Sequence, residues 1–516
     1  MGANDGNSAE QRNDNFSAAE KKAVVQREDD EVLHRDPGYF QYYAQLQHQQ
    51  NMLQDYIRTS SYRSAIVGNK DTLFRDRLVM DVGSGSGILA FFAAQAEAKH
   101  VYAVEASGMA KKMQVILDAA RPAEGLEARN GYLGGKITVI NEKIEEPRLL
   151  TEIPKVDVII SEPIGVLLVH ERMLESYVYA RDKFLAEGGA MMPSSGVIHL
   201  APLSDAALWN ETITKARFWQ QKGFYGVDLN PYFATAFDEY FRAPVVGCFS
   251  PTSLMGYSAE HLVDFHTVSM DDLKEFVIPI QWEIKYTGVM HGVAGWFDLT
   301  FQARKSAQHS DTVAYPTLMS TSPYSPPTHW QQVRLLFQQP LAVNAGQVVR
   351  GTISMKVNDE RSYDILAELI ALDKAESVQT NDLELARLVA EQKSRTRSGM
   401  WYLQEQVYNY SYTGETAEDA KPELSNLYMP VEGLLAESAP TIDEGLQPSV
   451  ISSIQSLGDS SLVNYLVSKP VTASTHVSTG PQSRASGRNN NSNSNNSNSN
   501  NGTGPDASAT TAMQVE

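Results

Sequence analysis

The stretch Val79-Met80-Asp81-Val82-Gly83-Ser84-Gly85-Ser86-Gly87-Ile88 restricts the fold more than any other. An apolar strand runs into three glycines at every second position and then into a helix-like segment, Leu89–Ala96. Glycines at a strand-to-helix turn let the backbone bend sharply and approach a ligand closely. Ile88 stands where the dinucleotide fingerprint carries its third glycine, which argues against a nicotinamide dinucleotide and toward another adenosine ligand. Glu105 closes the next apolar strand, Val101–Glu105, 22 residues beyond Gly83. That placement suits a carboxylate that accepts both ribose hydroxyls.

Two more strands follow with helical patterns between them, Ile137–Ile140 and Val156–Ser161. Strands alternating with helices predict βαβ units and a parallel sheet. Near residue 195 the texture changes to alternating strands separated by turn residues, such as Val289–Phe301, Gln331–Phe337 and Gln347–Met355. These predict an antiparallel barrel or sandwich. Ala207–Phe249 interrupts that pattern with a helical, aromatic-rich arm.

The 516 residues suggest about three domain-sized units. Residues 1–36 read as a disordered leader, 37–67 as lid helices, 68–195 as the parallel-sheet domain, and 196–375 as the barrel with its arm at about 207–249. Residues 376–516 read as a largely disordered tail, because the Asn/Ser tract 489–501 has nothing to bury. Within it, 381–392 suggests a short helix and 400–412 is aromatic-rich, without a clear place in a core. The 43 Lys and Arg against 62 Asp and Glu leave a net charge of −19, a poor match for nucleic acid and a better one for a basic partner. One cysteine, Cys248, excludes an internal disulfide or a cysteine-built zinc site, and no metal site is expected. No apolar run reaches the roughly 18 residues of a membrane span, and the first residues are not signal-like.

Glu162 ends the strand Val156–Ser161, and Glu171 lies nine residues on. Ligands of open α/β sheets gather beyond the carboxyl ends of the strands. Two carboxylates at such a cleft repel each other unless a cation lies between them, and a guanidinium fork matches carboxylates in pairs. Solvated surface acids, or partners for Arg172 and Arg181, are the plainer alternative from these residues alone.

With these residues in view, the run Asp81-Val-Gly-Ser-Gly-Ser-Gly resembles the S-adenosylmethionine loop of class I methyltransferases. Tyr39-Phe40-Gln41-Tyr42-Tyr43, Ser161-Glu162-Pro163-Ile164-Gly165, Glu171-Arg172-Met173-Leu174-Glu175-Ser176-Tyr177 and Thr328-His329-Trp330 resemble the protein arginine methyltransferases, nearest to their coactivator-associated members. The likeness runs from about Tyr39 to Leu369. It implies a Rossmann-like cofactor domain followed by a barrel with a dimerisation arm. It also implies transfer of methyl groups from S-adenosyl-L-methionine to arginine nitrogens of histones and RNA-binding proteins, giving mono- and asymmetric dimethylarginine. Action in the nucleus and cytoplasm, a role in transcription regulation and a homodimer follow from the same likeness.

Carried over residue by residue, the resemblance makes Glu162 and Glu171 the guanidinium-orienting acids and Asp55 with His329 a proton relay. It puts Tyr39, Gln49, Arg58, Asp81, Gly83, Gly85, Glu105 and Glu145 at the cofactor, with Arg58 also steadying Glu162. It puts Tyr43, Met52 and Ile164 at the acceptor arginine, while Ser176 is a weaker match left outside the set. Ile164 stands where members making asymmetric dimethylarginine usually carry Met, which bears on how far methylation proceeds. The loop 121–135 is longer than the family norm and reads as a surface insertion. The residues ahead of Tyr39 leave too little chain for the accessory domain of the animal members. Competing readings are a nucleotide-dependent oxidoreductase, opposed by Ile88, a small-molecule methyltransferase, opposed by barrel and arm, and a catalytically weak or inactive scaffold, opposed by the retained acids.

Overall fold

A computed structural model describes residues 38–121, 129–302 and 315–408. The leader, the Asn/Ser tract, residues 122–128 of the long loop and the tail beyond 408 lie outside the described residues.

The first sheet holds β1 (Leu78–Val82), β2 (His100–Val104), β3 (Ile137–Ile140), β4 (Val156–Ser161) and β5 (Leu185–Met192), ordered β3-β2-β1-β4-β5 with every pair parallel. The inner strands β1 and β4, with β2, are largely buried, as parallel strands sandwiched between helices must be, while the edge strand β3 is only half-buried. In helix Ile88–Gln95, every side chain from Leu89 to Ala94 is buried. The chain leaves β1 in one direction toward β2 and β3, and β4 and β5 lie on the other side. The crevice above β1 and β4 is therefore the switch point where ligands of such sheets bind. The Ser161 hydroxyl donates to the Val82 carbonyl at 2.7 Å and ties the two strand ends together. Val101–Glu105 was expected as the second strand; the observed one is shifted by one residue, which leaves Glu105 just past its end.

From Ser195 the chain builds two sheets, antiparallel except for one short parallel pair, Val245–Val246 with Val407–Tyr408. One contains β6 (Ser195–Leu203), β7 (Val245–Val246), β8 (Ala259–Asp264), β10 (Gly288–Phe301), β11 (Thr317–Ser320), β12 (Val333–Val343) and β16 (Val407–Tyr408). The other contains β9 (Glu275–Glu283), β13 (Val348–Val357), β14 (Tyr363–Leu372) and β15 (Thr396–Tyr402). Two buried tryptophans bridge them: Trp282 Nε1 donates to the Leu200 carbonyl at 3.0 Å, and Trp401 Nε1 to the Leu336 carbonyl at 3.1 Å. The parallel sheet followed by a barrel-like antiparallel domain is the architecture that the sequence predicts.

The arm consists of helices Ala206–Arg217 and Phe233–Arg242. Its root packs Leu208, Trp209, Phe237 and Phe241 on Ala201, Ala294, Trp296 and Leu336 of the first barrel sheet. Its tip leaves Phe218, Phe224, Tyr225 and Tyr232 exposed, Tyr225 at 93%. The aromatic content of the arm thus serves two surfaces, one internal and one open.

One boundary needs correction. The ordered body does not stop at 375: β15 pairs with β14 from Asp364↔Tyr402 to Ile370↔Thr396. Helix Asp382–Glu391 precedes it, capped by Asn381, whose side chain accepts from the Glu384 N–H at 2.9 Å. Without β15, the ladder groups on that side of β14 would lack strand partners and Trp401 would lose its core seat. An unpaired sheet edge is a liability that chains usually cover. The seven residues of β15 carry a mixed burial pattern with few buried positions, too weak a period to identify from sequence.

Candidate active site

A cavity of about 700 Å³ opens at the switch point. Its floor is the glycine loop. Gly85 has φ +53°, and a Cβ there would sit 2.9 Å from Gln49 Oε1, so only glycine fits without strain. The Gly85 N–H donates to Glu105 Oε2 and the Ser107 N–H to Glu105 Oε1, each at 2.7 Å. These bonds fix the carboxylate, and each oxygen keeps capacity to accept from a diol. Gln49 ties the lid to the same loop: its Oε1 accepts from the Ser86 N–H at 3.1 Å and its Nε2 donates to the Tyr43 carbonyl at 3.1 Å. Glu145 lines the far wall beside Ile144 and accepts from the Ser176 hydroxyl at 2.6 Å. Ser176, left outside the expected set, also lines the cavity.

Asp81 does not line the cavity. It is fully buried, and its Oδ2 accepts from the Ala90 N–H at 3.0 Å, so it anchors the helix that follows the loop. Burial pushes its carboxyl up to about 8, against the opposing effect of that hydrogen bond. Of the loop residues, Gly83 through Ser86 reach the cavity.

The paired acids hang from the end of β4 and from the loop that follows it. Glu162 Oε1 accepts from Arg58 Nε at 2.8 Å, with the two side chains 13% and 7% exposed. Glu171 sits at φ +72° and Arg172 at φ +56°, after Leu167 at +54° and Leu168 at +73°. Four non-glycine residues in left-handed backbone cost on the order of 1–3 kcal/mol each, a concentration of strain typical of functional loops. Gly165 makes the loop possible, because a Cβ there would overlap the His170 carbonyl. The barrel holds the loop from outside: Trp330 Nε1 donates to the Ile164 carbonyl at 3.1 Å, and His170 Nδ1 lies 2.8 Å from the Ser362 hydroxyl.

Two hydroxyls converge on Glu171. Tyr39 and Tyr43 both donate to its Oε2, at 2.9 and 2.7 Å. Tyr39, expected at the cofactor, thus meets the carboxylate that its neighbour Tyr43 also meets. Burial pushes Glu171 above the ordinary carboxylate range; the tyrosine hydrogen bonds oppose this and nearby Glu162 adds to it. Both tyrosines are held well above their usual range by burial first and by Glu171 second, so they remain donors.

Met52 and Ile164 line the cavity, as does Arg361, which sequence reasoning missed. Asp55 and His329 come together as expected, with His329 Nδ1 2.6 Å from Asp55 Oδ2, but neither lines the cavity. Asp55 also caps helix Tyr56–Gly68, accepting from the Arg58 N–H at 2.9 Å. Burial raises its carboxyl, yet the bonds from His329 and the backbone outweigh burial and leave it below the ordinary range. Among the described residues, no group of three or more His, Cys, Asp or Glu is arranged to hold a metal ion.

A parallel sheet with a glycine loop, an acid after β2 and two acids beyond β4 gives a Rossmann-like ligand cavity at the switch point. Residues 194–370 match the arginine methyltransferase oligomerization subdomain family. Over 334 residues, 64% of this chain, it is 46% identical to the probable histone-arginine methyltransferase CARM1 of Oryza sativa subsp. indica and covers 59% of that protein. It is 45% identical over 332 residues, also 64% of this chain, to the histone-arginine methyltransferase CARMER of Drosophila willistoni, of which it covers 57%. The chain therefore spans less than two thirds of the length of these curated relatives. Among solved structures, Arabidopsis thaliana protein arginine methyltransferase 10 aligns with TM-score 0.58 and 28% identity, over 70% of this chain and 99% of that one. The Trypanosoma brucei PRMT1 enzyme–prozyme heterotetramer with AdoHcy aligns with TM-score 0.54 and 28% identity, over 70% and 99%. The likeness to the protein arginine methyltransferases, and to their coactivator-associated members, is borne out over this span.

Proposed function

We propose that the protein is a protein-arginine N-methyltransferase. The observation that carries this reading is the convergence of Glu162 and Glu171 on one cavity, the first fixed by Arg58 and the second by two tyrosine hydroxyls.

S-Adenosylmethionine fits the residues present: Glu105 offers acceptors to ribose hydroxyls, Glu145 an acceptor to an adenine amino group, and the Gly83–Gly85 backbone a close floor. Arg58, held at the same wall, is available to its carboxylate. When bound, this cofactor supplies a methyl group on a sulfonium, which an arginine nitrogen takes with release of S-adenosylhomocysteine.

The acids of this chain do the remaining work. A free guanidinium is protonated and delocalised, so its nitrogens are poor nucleophiles. Glu162 and Glu171 accept its N–H groups, aim one nitrogen and draw positive charge toward the others. The attacking nitrogen gains a methyl and loses one proton, and the Asp55–His329 pair is the proposed sink for it. Tyr43, Met52 and Ile164 bound the arginine pocket, and Met52, as in members making asymmetric dimethylarginine, supports mono- and asymmetric dimethylation. Histone tails and RNA-binding proteins are the proposed substrates, in nucleus and cytoplasm. The exposed aromatic arm tip and the oligomerization-subdomain match support a homodimer.

Radiolabelled S-adenosylmethionine with Arg-rich histone-tail peptides tests the reading. Label should reach arginine with the parent and fall by at least about a hundredfold with Glu162→Gln or Glu171→Gln, as for loss of a transition-state electrostatic group. Transfer at parental rates by either variant refutes the two-carboxylate mechanism. No transfer by the parent leaves the scaffold reading.

A further inference from the structure

The turn between β13 and β14, residues 358–362, belongs to the barrel but reaches the cavity of the other domain. It is built to hold its shape. Asn358 Oδ1 accepts from the N–H groups of Glu360 and Ser362 at 3.0 and 3.1 Å. Its Nδ2 donates to Asp364 Oδ1 at 2.8 Å and to Gln404 Oε1 at 2.9 Å. The turn is also fastened to the loop that carries Glu171: Ser362 meets His170 at 2.8 Å, and Arg172 donates to the Asn358 carbonyl at 3.4 Å.

Arg361 is the one residue of that turn that lines the cavity. Its backbone is left-handed, φ +54°, where asparagine or glycine would be less strained than a long side chain. Its guanidinium carbon lies 4.5 Å from the centroid of the Tyr39 ring, whose hydroxyl is bonded to Glu171. A cation over the ring face and a carboxylate on the hydroxyl hold Tyr39 from two sides. The lid segment 38–43 that carries Tyr39 and Tyr43 is fastened elsewhere by Gln49 Nε2 on the Tyr43 carbonyl at 3.1 Å and by Lys143 Nζ 5.5 Å from the Phe40 ring centroid, and just beyond it by Lys112 Nζ on the Ala44 carbonyl at 2.6 Å.

We propose that Arg361 is a positioning residue that clamps the lid segment shut over Glu171 by stacking on Tyr39. Through the rigid turn, the barrel thereby sets the register between the lid tyrosines and the substrate-orienting acid. In support, the Arg361 charge opposes the burial-driven rise of both Tyr39 and Glu171. The inference rests on the reading of Glu171 as a substrate-binding carboxylate, but its test does not need turnover.

Amide hydrogen exchange on the full chain without added ligand is the measurement. Arg361→Asn keeps a residue suited to the left-handed turn while removing the cation. It should speed exchange across 39–45 by roughly three- to thirty-fold, the range that a cation–π contact supplies. Exchange in helix Tyr56–Gly68 should stay at the parental rate. Arg361→Lys, which keeps a cation, should restore part of the protection. Tyr39→Leu should loosen the same segment, and the double variant should add little to either single change, because the two act through one contact. Unchanged lid exchange in Arg361→Asn overturns the clamp, as do single effects that multiply in the double variant. A parent that transfers no methyl while Arg361→Asn still loosens the lid supports the clamp and removes the functional reading.

Discussion

Arg58→Met offers a quantitative test of how the site is built. Arg58 lies on helix Tyr56–Gly68, whose Tyr62, Ala65 and Ile66 are buried in the core, and its Nε meets Glu162 at 2.8 Å. With the side chains 7% and 13% exposed, solvent screens the pair little. Removing one partner of a buried pair leaves the other charge uncompensated and costs about 3–5 kcal/mol. Glu162→Gln should cost a similar amount by stranding Arg58. The double variant Arg58→Met/Glu162→Gln buries no charge at this place, so its cost should fall well below the sum, with a coupling of at least about 2 kcal/mol. Urea titration followed by tryptophan fluorescence gives the four stabilities. Arg58→Lys keeps the charge without the planar fork and should fall between parent and Arg58→Met. A loss below about 1 kcal/mol for Arg58→Met, or strict additivity in the double variant, refutes the claim that this pair is buried and coupled.

Further outcomes concern other parts of the molecule. Glu171 has a raised folded-state pKa, so its carboxylate form is lost as pH falls through a value above the ordinary glutamate range; kcat/KM should decline there, and an acid limb at or below that ordinary range speaks against it. Glu105→Ala should weaken S-adenosylhomocysteine binding by about tenfold or more in calorimetry, as loss of a charged hydrogen-bond acceptor does; an unchanged isotherm removes Glu105 from the site. Trp401→Ala should cost about 3–5 kcal/mol because its ring is fully buried and its Nε1 bridges the sheets; a loss under about 1 kcal/mol shows that β15 is dispensable. Deleting the arm tip, residues 218–232, should turn the proposed homodimer into a monomer in sedimentation at micromolar concentration, and an unchanged mass per particle relative to the parent refutes the arm as interface.

Local chemistry wrote much of this protein into its sequence. The glycine loop needs left-handed backbone wherever it occurs, and β1, β3 and β4 are short apolar runs bounded by turn residues, so their places follow from neighbours along the chain. Glu105 and Glu162 were legible for the same reason: each stands just beyond a strand end, where a parallel sheet collects its ligands, and Glu171 follows in the loop after β4. What only the tertiary structure decided are the contacts between residues far apart in sequence. Asp81 sits in a motif whose residues Gly83 to Ser86 line the cavity, yet burial turned it toward Ala90. Tyr39 lies 132 residues from Glu171, and nothing near either one shows that its hydroxyl ends on that carboxylate. Arg361 carries no local signature of function, and β15 has too weak a period to separate it from a tail. Their roles arise because packing two domains together brings a turn of one to the cavity of the other, and the energy of such long-range contacts depends on the whole fold rather than on any window of the chain.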